Sequence, residues 1–273
     1  RGNLVAVFSD NNGLWHSNES SLIRTYISIS TDNGKSWGKV TDITDQVYGG
    51  IYGEGTRYGL FTGSGSGVQL KHGPHAGRIM LVVAARNDAT WGGTMSNYAI
   101  YSDDGGQTWQ ASKNAACTNG DEAKVVELSN GNILMSIRNR AKEHRLFSLS
   151  TDGGETWSEP KLNTTILDPA CNGDIIAYTY KGKNLLLHSL PASKTTRENV
   201  TVYVSEDNGE TWIPKRCIYK GYSAYSSLQV LDDGTIGIIV EEGKWDGNLP
   251  GEDGFNLGYY RFNLAWLMEG DQE

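Results

Sequence analysis

Tyrosine and arginine are the residue types in this sequence that could carry out chemistry on an acidic ligand. A tyrosine hydroxyl, with an ordinary pKa of about 10, becomes a nucleophile at neutral pH only when a base such as glutamate takes its proton. Arginine presents a planar fork that matches both oxygens of a carboxylate, so arginines that meet in one place can clamp an acid. Taken singly, a tyrosine on a strand usually packs in the core and an arginine usually forms a surface ion pair. The elements that position these side chains therefore decide between the two interpretations.

A repeated eight-residue pattern, S-x-D-x-G-x-[ST]-W, organises the chain. It predicts a hairpin in which Asp forms an Asx-type turn, Gly supplies a positive φ and Trp folds back onto the hairpin. Each copy follows an alternating run such as Tyr26–Ser30, as a half-exposed antiparallel strand should. The four copies are Ser30–Trp37, Ser102–Trp109, Ser150–Trp157 and Ser205–Trp212.

The spacing of the four copies predicts a fold. Their aspartates, Asp32, Asp104, Asp152 and Asp207, lie 72, 48 and 55 residues apart. This spacing fits a β-propeller with one four-stranded antiparallel blade per copy and one blade without the pattern. Because turn chemistry explains every position of the pattern, the repeats indicate fold, and function has to come from other residues. We expect a single all-β domain over residues 1–273.

Composition supports strands and excludes one class of partner. The chain has 273 residues, with 34 Gly, 8 Trp and 14 Tyr, a balance that favours strands and tight turns. A formal net charge of -8 argues against nucleic acid as a partner, because binding phosphates requires a surplus of Lys and Arg. Cys117, Cys171 and Cys217 have no metal-type spacing, so we expect neither metal nor cofactor and leave one disulfide open.

The hydropathy of the chain and the residues at its start give information about the cellular location of the protein. No apolar run is long enough to span a bilayer, and the start shows no signal-peptide pattern. Residues 1–7 read as the middle of a strand. We therefore expect that sequence precedes Arg1 and that a signal peptide could be part of it.

Several segments between the repeats resemble the exo-sialidases of the bacterial type, a family whose repeats are called Asp boxes. Asp boxes alone are not specific, but the agreement of the other segments is collinear over nearly the whole chain. These segments are Gly63–Leu70, Gly77–Met80, Glu122–Gly131, Ser136–Asn139, Ile166–Asp174, Leu187–Pro191 with Arg197, Ser223–Leu228, and Asp233–Gly234 with Val240–Gly243.

The resemblance implies both a fold and a set of site residues. The fold is a six-bladed β-propeller of four-stranded antiparallel blades, whose first strand would precede this chain. Tyr225 is the nucleophile and Glu122 is its base, in a family that departs from the usual scheme of two carboxylates. Arg138 and Arg197 match two of the three arginines that bind the substrate carboxylate. Glu241 matches a carboxylate that orients the first of the family's three arginines, which would lie on the strand before this chain.

The first loop departs from the family's pattern. Counting back from Asp32 places Glu19 where the family has its acid/base aspartate. A glutamate can donate a proton to the leaving oxygen and later activate water. Asp10 or His16 could take this role instead, and a solvated loop glutamate is the plain alternative.

The resemblance therefore predicts an exo-α-sialidase that hydrolyses terminal sialic acid with retention, through a tyrosyl glycoside. The predicted partners are sialylated glycans on glycoproteins, glycolipids and oligosaccharides, and the predicted location is secreted, periplasmic or cell-surface. Two alternatives stay open. One is a sialic-acid-binding propeller with weak or no catalysis, and the other is a hydrolase or trans-sialidase for a related ulosonic acid.

Overall fold

The computed structural model describes residues 2–10, 13–244 and 254–270, and strands dominate them. The strands are β1 (Leu4–Ser9), β2 (Thr25–Ser30), β3 (Thr41–Asp42), β4 (Leu60–Thr62), β5 (Val68–Gln69), β6 (Ile79–Arg86), β7 (Met95–Ser102), β8 (Gln110–Ala111), β9 (Cys117–Gly120), β10 (Ala123–Glu127), β11 (Ile133–Ile137), β12 (Glu143–Ser150), β13 (Lys161–Asp168), β14 (Asp174–Tyr180), β15 (Lys183–Pro191), β16 (Glu198–Ser205), β17 (Ile213–Val230), β18 (Ile236–Glu242) and β19 (Asn256–Phe262). The α-helices are α1 (Thr44–Tyr52) and α2 (Leu264–Glu269), and 3-10 turns lie at Leu14–His16 and Gly73–His75.

The strands follow two hydrophobic patterns. In β12, Arg145 and Phe147 are buried while Leu146 between them is only partly buried, which is the alternation of a strand with one inner face. In β6 the run from Val82 to Arg86 is buried throughout, as in a strand covered on both faces. β-Branched and aromatic side chains favour this extended, packed conformation.

The strands form four sheets in the described part of the chain. Their orders are β1-β2-β3; β4-β6-β7-β8, with β5 beside β6 and β9 beside β7; β10-β11-β12-β13; and β14-β15-β16-β17-β18-β19. The pairs β1–β2, β6–β7, β15–β16 and β18–β19 are antiparallel. Most neighbours within a sheet are consecutive in the chain, which is the meander expected of a propeller blade.

The chain divides into two compact units. The first comprises residues 1–135 and 148–160, and the second comprises residues 136–147 and 161–273. In the first unit α1 packs Val47 and Tyr48 into a core with Ile27, Leu60 and Trp109. The Tyr48 hydroxyl donates to the Ile23 carbonyl at 2.6 Å and accepts from the Leu60 amide at 3.0 Å, so this buried polar group is satisfied.

The second unit is built around the sheet β14–β19. Its core consists of aliphatic and aromatic side chains from all six of those strands and from α2, among them Leu187, Val202, Leu228, Ile238 and Leu267. β17 is unusually long because its two halves pair with different strands. Residues up to Tyr222 pair with β16, and residues from Ser223 pair with β18.

The four repeats form the turn that their sequence predicts. In the second copy the Ser102 hydroxyl donates to Asp104 at 2.8 Å, and the Thr108 hydroxyl donates to the same carboxylate at 2.6 Å. Gly106 has a φ of 96° and its amide donates to Ser102 Oγ at 2.8 Å. The other copies repeat these contacts at Ser30 and Asp32, Ser150 and Asp152, and Ser205 and Asp207.

The all-β class is thus confirmed, while the count of six blades is not. The described residues form four sheets, and the continuous β17 is one physical reason, because it joins two successive hairpin systems into one sheet. The expectation of a single domain over residues 1–273 stays a prediction.

Candidate active site

Tyr225 lies in β17 just after the point where the strand changes partner. The register of β17 against β18 is irregular between Ser223 and Ser226, and bulges of this kind re-aim a side chain. The Tyr225 amide donates to Glu241 Oε2 of β18 at 3.1 Å. A carboxylate from the neighbouring strand therefore holds the backbone of the predicted nucleophile.

Arg138 directly follows β11 and reaches the tyrosine hydroxyl. Its Nη1 donates to Tyr225 Oη at 3.3 Å. This contact places a guanidinium directly at the hydroxyl of the predicted nucleophile.

Arg197 precedes β16 and brings a second cation to the same ring. Its guanidinium carbon lies 5.7 Å from the centre of the Tyr225 ring, within the range of a cation–π contact. Its Nη2 donates to the Ala170 carbonyl at 3.0 Å, and its own carbonyl accepts from the Ser223 amide at 3.1 Å. The second contact ties Arg197 to the strand that carries Tyr225.

A cavity of about 540 Å³ opens at these residues within the second unit. Its volume falls in the ordinary range for small-molecule sites, and aromatic rings line it beside charged groups. The lining residues are Thr196, Arg197, Tyr222, Ser223, Tyr225, Glu241, Gly243, Lys244 and Phe255.

The charges of Arg138 and Arg197 both affect the pKa of the buried thiol of Cys171, the residue after Ala170. Burial raises the pKa of the Cys171 thiol to about 12, and the positive charges of Arg197 and Arg138 oppose this shift. The two guanidinium groups are therefore both near the buried Cys171 side chain. The structure brings together four of the six predicted site residues, namely Arg138, Arg197, Tyr225 and Glu241, and the roles given to them stay predictions.

Glu122 belongs to the first unit and lies just before β10. It is largely buried, with 8% of its surface exposed, and its amide donates to the Asp121 carboxylate at 2.9 Å. A buried carboxylate at a strand end suits a proton acceptor better than a solvated surface residue does. Its pairing with Tyr225 stays a prediction.

Glu19 is exposed in a tight turn of the first unit. Asn18 Oδ1 closes this turn by accepting from the amides of Ser20 and Ser21 at 3.0 and 3.2 Å. Glu19 and Asp10 both line one cavity of about 560 Å³, whereas the His16 ring packs 4.9 Å from the Trp91 ring. The two acidic candidates, Asp10 and Glu19, therefore face the same cavity. His16 contacts Trp91 instead.

A buried arginine holds the loop before Glu19 in place. Arg86 is 2% exposed, and its Nη1 donates to the carbonyls of Leu14 and Ser17 at 3.1 and 2.9 Å. The first loop, although rich in polar residues, is thus anchored to β6.

A buried ion pair with Asp168 holds Arg145, a residue that was not predicted from the sequence. A signal for it was available. On the alternating strand β12, Arg145 occupies the same inner face as Phe147, and a charged residue at an inner position is rarely buried unless it is paired.

Two kinds of feature are absent from the described residues. No group of three or more His, Cys, Asp or Glu side chains there is placed to hold a metal ion. No helix in that part of the chain is long and apolar enough to cross a membrane.

Comparisons with known proteins identify the family of the chain. The family model described as a BNR repeat-like domain matches residues 1–238. The sialidase of Micromonospora viridifaciens is 34% identical over 91% of this chain, and that of Bacteroides fragilis is 30% identical over 88%. The chain spans 36% and 43% of the length of these two relatives.

The fold likeness is equally extensive. The structure of the Hadza microbial sialidase Hz136 has a TM-score of 0.77 at 24% identity, covering 96% of this chain and 50% of that one. This similarity shows an all-β fold of the propeller-like class. With the family model matching most of its length and its four Asp boxes formed as predicted, the chain belongs to the BNR repeat-like family, in which its relatives are sialidases.

Proposed function

We propose that this chain forms the catalytic part of a retaining exo-sialidase, which removes terminal sialic acid from glycoconjugates. The observation that carries the proposal is the environment of Tyr225. Its hydroxyl accepts from Arg138 at 3.3 Å, its ring lies 5.7 Å from the Arg197 guanidinium carbon, and its amide is held by Glu241.

The chemistry of the substrate explains why a phenol and two arginines suit it. Sialic acid carries a carboxylate on its anomeric carbon, so a carboxylate nucleophile would approach a like charge. A neutral phenol avoids this repulsion, and sialidases, with a tyrosine nucleophile, are exceptions to the two-carboxylate scheme. Arg138 and Arg197 can neutralise the substrate carboxylate by paired hydrogen bonds.

The proposed reaction has two steps. In the first, Tyr225 Oη bonds to the anomeric carbon while the glycosidic C–O bond breaks. The Tyr225 proton passes to Glu122, and an acid proposed to be Glu19 protonates the leaving oxygen. In the second step the deprotonated Glu19 takes a proton from water, the water oxygen bonds to the anomeric carbon, and Tyr225 leaves and recovers its proton from Glu122.

Two further features of the whole protein are proposals of the same kind. A complete propeller would have six blades, supported by the way β17 joins two hairpin systems. We also propose that the protein is secreted, periplasmic or on the cell surface, because sialylated glycans are displayed outside the cytoplasm. The alternatives of a non-hydrolytic binder and of an enzyme for a related ulosonic acid are distinguished by assays with glycosides of each sugar acid.

Replacing the Tyr225 hydroxyl tests the proposed function. Tyr225→Phe removes one oxygen, so the protein should fold while its kcat for an aryl sialoside falls on the order of a thousandfold or more. A sialic acid analogue with fluorine at carbons 2 and 3 should label residue 225 covalently in the wild type, and mass spectrometry of its peptide detects the adduct.

Tyr222→Phe is the matched control, because Tyr222 lines the same cavity but is not the predicted nucleophile. It should retain most of the activity and still form the adduct. Full activity in Tyr225→Phe, or an adduct on a different residue, contradicts the proposed mechanism.

A further inference from the structure

A completely buried ion pair lies behind the candidate site in the second unit. Arg145 in β12 and Asp168 at the end of β13 are both 0% exposed, and Arg145 Nη1 donates to Asp168 Oδ2 at 3.0 Å. Burying two charges is costly, and apolar side chains would often stabilise a fold at least as well. The remaining contacts of the pair indicate what it does.

The Asp168 carboxylate also accepts two backbone amides. Asn139 N donates to Oδ2 at 3.1 Å, and Cys171 N donates to Oδ1 at 2.9 Å. Arg145 Nη1 in turn donates to the Cys171 carbonyl at 2.7 Å. One ion pair therefore fixes two separate backbone segments.

The first segment carries Arg138. Asn139 is its neighbour, so the hydrogen bond to Asp168 fixes the backbone at the point where Arg138 leaves β11. The Asn139 side chain strengthens this anchor by donating to the carbonyls of Lys142 and His144 at 3.1 and 2.8 Å.

The second segment holds Arg197. Between Asp168 and Cys171 the chain turns sharply, and Ala170 has a φ of 59°. The Ala170 carbonyl accepts Arg197 Nη2 at 3.0 Å. The same carboxylate thus sets the position of the acceptor that orients the second arginine.

The far side of Arg145 is fixed as well. Its Nε donates to Ser136 Oγ at 2.9 Å, and Ser136 Oγ lies 2.7 Å from His188 Nε2. The Ser136 hydroxyl therefore lies between Arg145 and the buried His188 ring and contacts both. Burial, followed by the charge of Arg145, holds the pKa of His188 well below its ordinary value, in keeping with a neutral ring.

We infer that Asp168, held by Arg145, is a positioning residue that sets the spacing of Arg138 and Arg197 for the carboxylate of the ligand. This inference rests on the proposed function, because it assumes that these arginines bind a sugar acid. Asp168 acts through the two backbone segments.

The test compares a ligand with and without its carboxylate. The probe is an unsaturated sialic acid analogue with a planar anomeric carbon, used as the free acid and as its methyl ester, and calorimetry measures both Kd values. In the wild type the acid should bind much more tightly than the ester. Asp168→Asn should reduce that preference about tenfold or more, as loss of a supporting contact commonly does, with little change in binding of the ester.

Two further variants keep the test decisive. The double variant Arg145→Met with Asp168→Leu replaces the pair by apolar side chains, a change that buried pairs often tolerate, and it should lose the same preference. Leu185→Ala weakens the core of the same unit without touching the pair, so it should lower the unfolding temperature and keep the preference. Wild-type preference in both the Asp168→Asn and the double variant overturns the inference alone. A wild-type protein that binds neither ligand overturns the proposed function, and the inference with it.

Discussion

At the scale of single residues, the proposed role of Arg197 in binding a carboxylate depends on the shape of its side chain as well as on its charge. One of its nitrogens is committed to the Ala170 carbonyl, and the guanidinium carbon lies 5.7 Å from the centre of the Tyr225 ring. A planar group can make the backbone contact and still present other donors to a ligand. A lysine has a single charged nitrogen and cannot keep both contacts at once.

Arg197→Lys should therefore impair catalysis although it keeps the charge. Each charged hydrogen bond contributes about 1.5 to 3 kcal/mol, so kcat/KM for a sialoside should fall by about 10- to 100-fold. Arg216→Lys is the matched control, because Arg216 packs on Trp266 at 3.9 Å and does not line the cavity. An unchanged kcat/KM in Arg197→Lys removes this residue from the clamp.

The residues that sequence could predict are those with a recognisable local context. Tyr225, Arg138, Arg197 and Glu241 were predicted from short segments spread over about a hundred positions, and they meet in the structure. Arg145 lies on an ordinary alternating strand. Its proposed positioning role depends on hydrogen bonds to Asp168 and Cys171, which are 23 and 26 positions away in the sequence. Such long-range pairing depends on the path of the backbone, which no local pattern in this sequence describes.

At the scale of elements, the Asp boxes are small networks of hydrogen bonds that respond to acid. Donation by the Thr108 side chain, followed by its amide, lowers the pKa of Asp104 to about 2, and donation from Ser36 does the same for Asp32. A carboxyl group with a depressed pKa in the folded state stabilises the fold at pH values above its unfolded value of about 3.9. That stabilisation is lost as the pH falls towards 2.

Asp104→Asn should make stability less sensitive to acid in this window. Between pH 5 and pH 2.5 the unfolding temperature of the wild type should fall more steeply than that of the variant. The reason is that the wild type alone loses the stabilisation by the Asp104 carboxylate as the pH falls from its unfolded towards its folded pKa. Thr108→Val removes the largest cause of the shift and should behave like Asp104→Asn. Equal pH profiles in all three proteins exclude a role for this carboxylate in acid stability.

The Asp-box turns could be predicted from the sequence because the residue types in the repeat themselves determine the conformation of the turn. The positive φ of Gly106 and the contacts of Asp104 with Ser102 and Thr108 follow from the types of residue in the repeat. The tryptophans show the limit of this reasoning, because Trp109 is 3% exposed and Trp37 is 48% exposed although both end the same pattern. Their burial depends on what packs over each turn, which the repeat does not encode.

At the scale of the whole molecule, the charge of the chain opposes its proposed substrate. With a formal net charge of -8, the protein as a whole repels an anionic sugar, so local cations must supply the attraction. The all-β class could be predicted because Gly-rich turns and alternating runs recur along the chain. The blade count depends on pairing between strands, and the long β17 was not apparent from any single segment.

The three cysteines allow a test of disulfide content and of side-chain burial in the folded protein. The disulfide left open by the sequence is not formed, since no S–S bond joins Cys117, Cys171 or Cys217, all of which lie in the described part of the chain. A reducing agent should therefore leave the unfolding temperature unchanged. Cys117 and Cys171 are buried, and burial raises the pKa of Cys171 to about 12, so iodoacetamide should label Cys217 first in the native protein. Equally fast native labelling of Cys171 contradicts this arrangement.

The divided pairing of β17 has a consequence for where this protein can change in length. Against β16 the strand slips register at three places, whereas from Ser226 to Val230 it runs without interruption against β18. An extra residue inserted before Gly221 can be absorbed as one more bulge. The same insertion after Ser226 would turn the following side chains to the opposite face of the sheet. Tyr225 stands at the border between these two stretches, so the first half of β17 can change in length while the predicted nucleophile keeps its place.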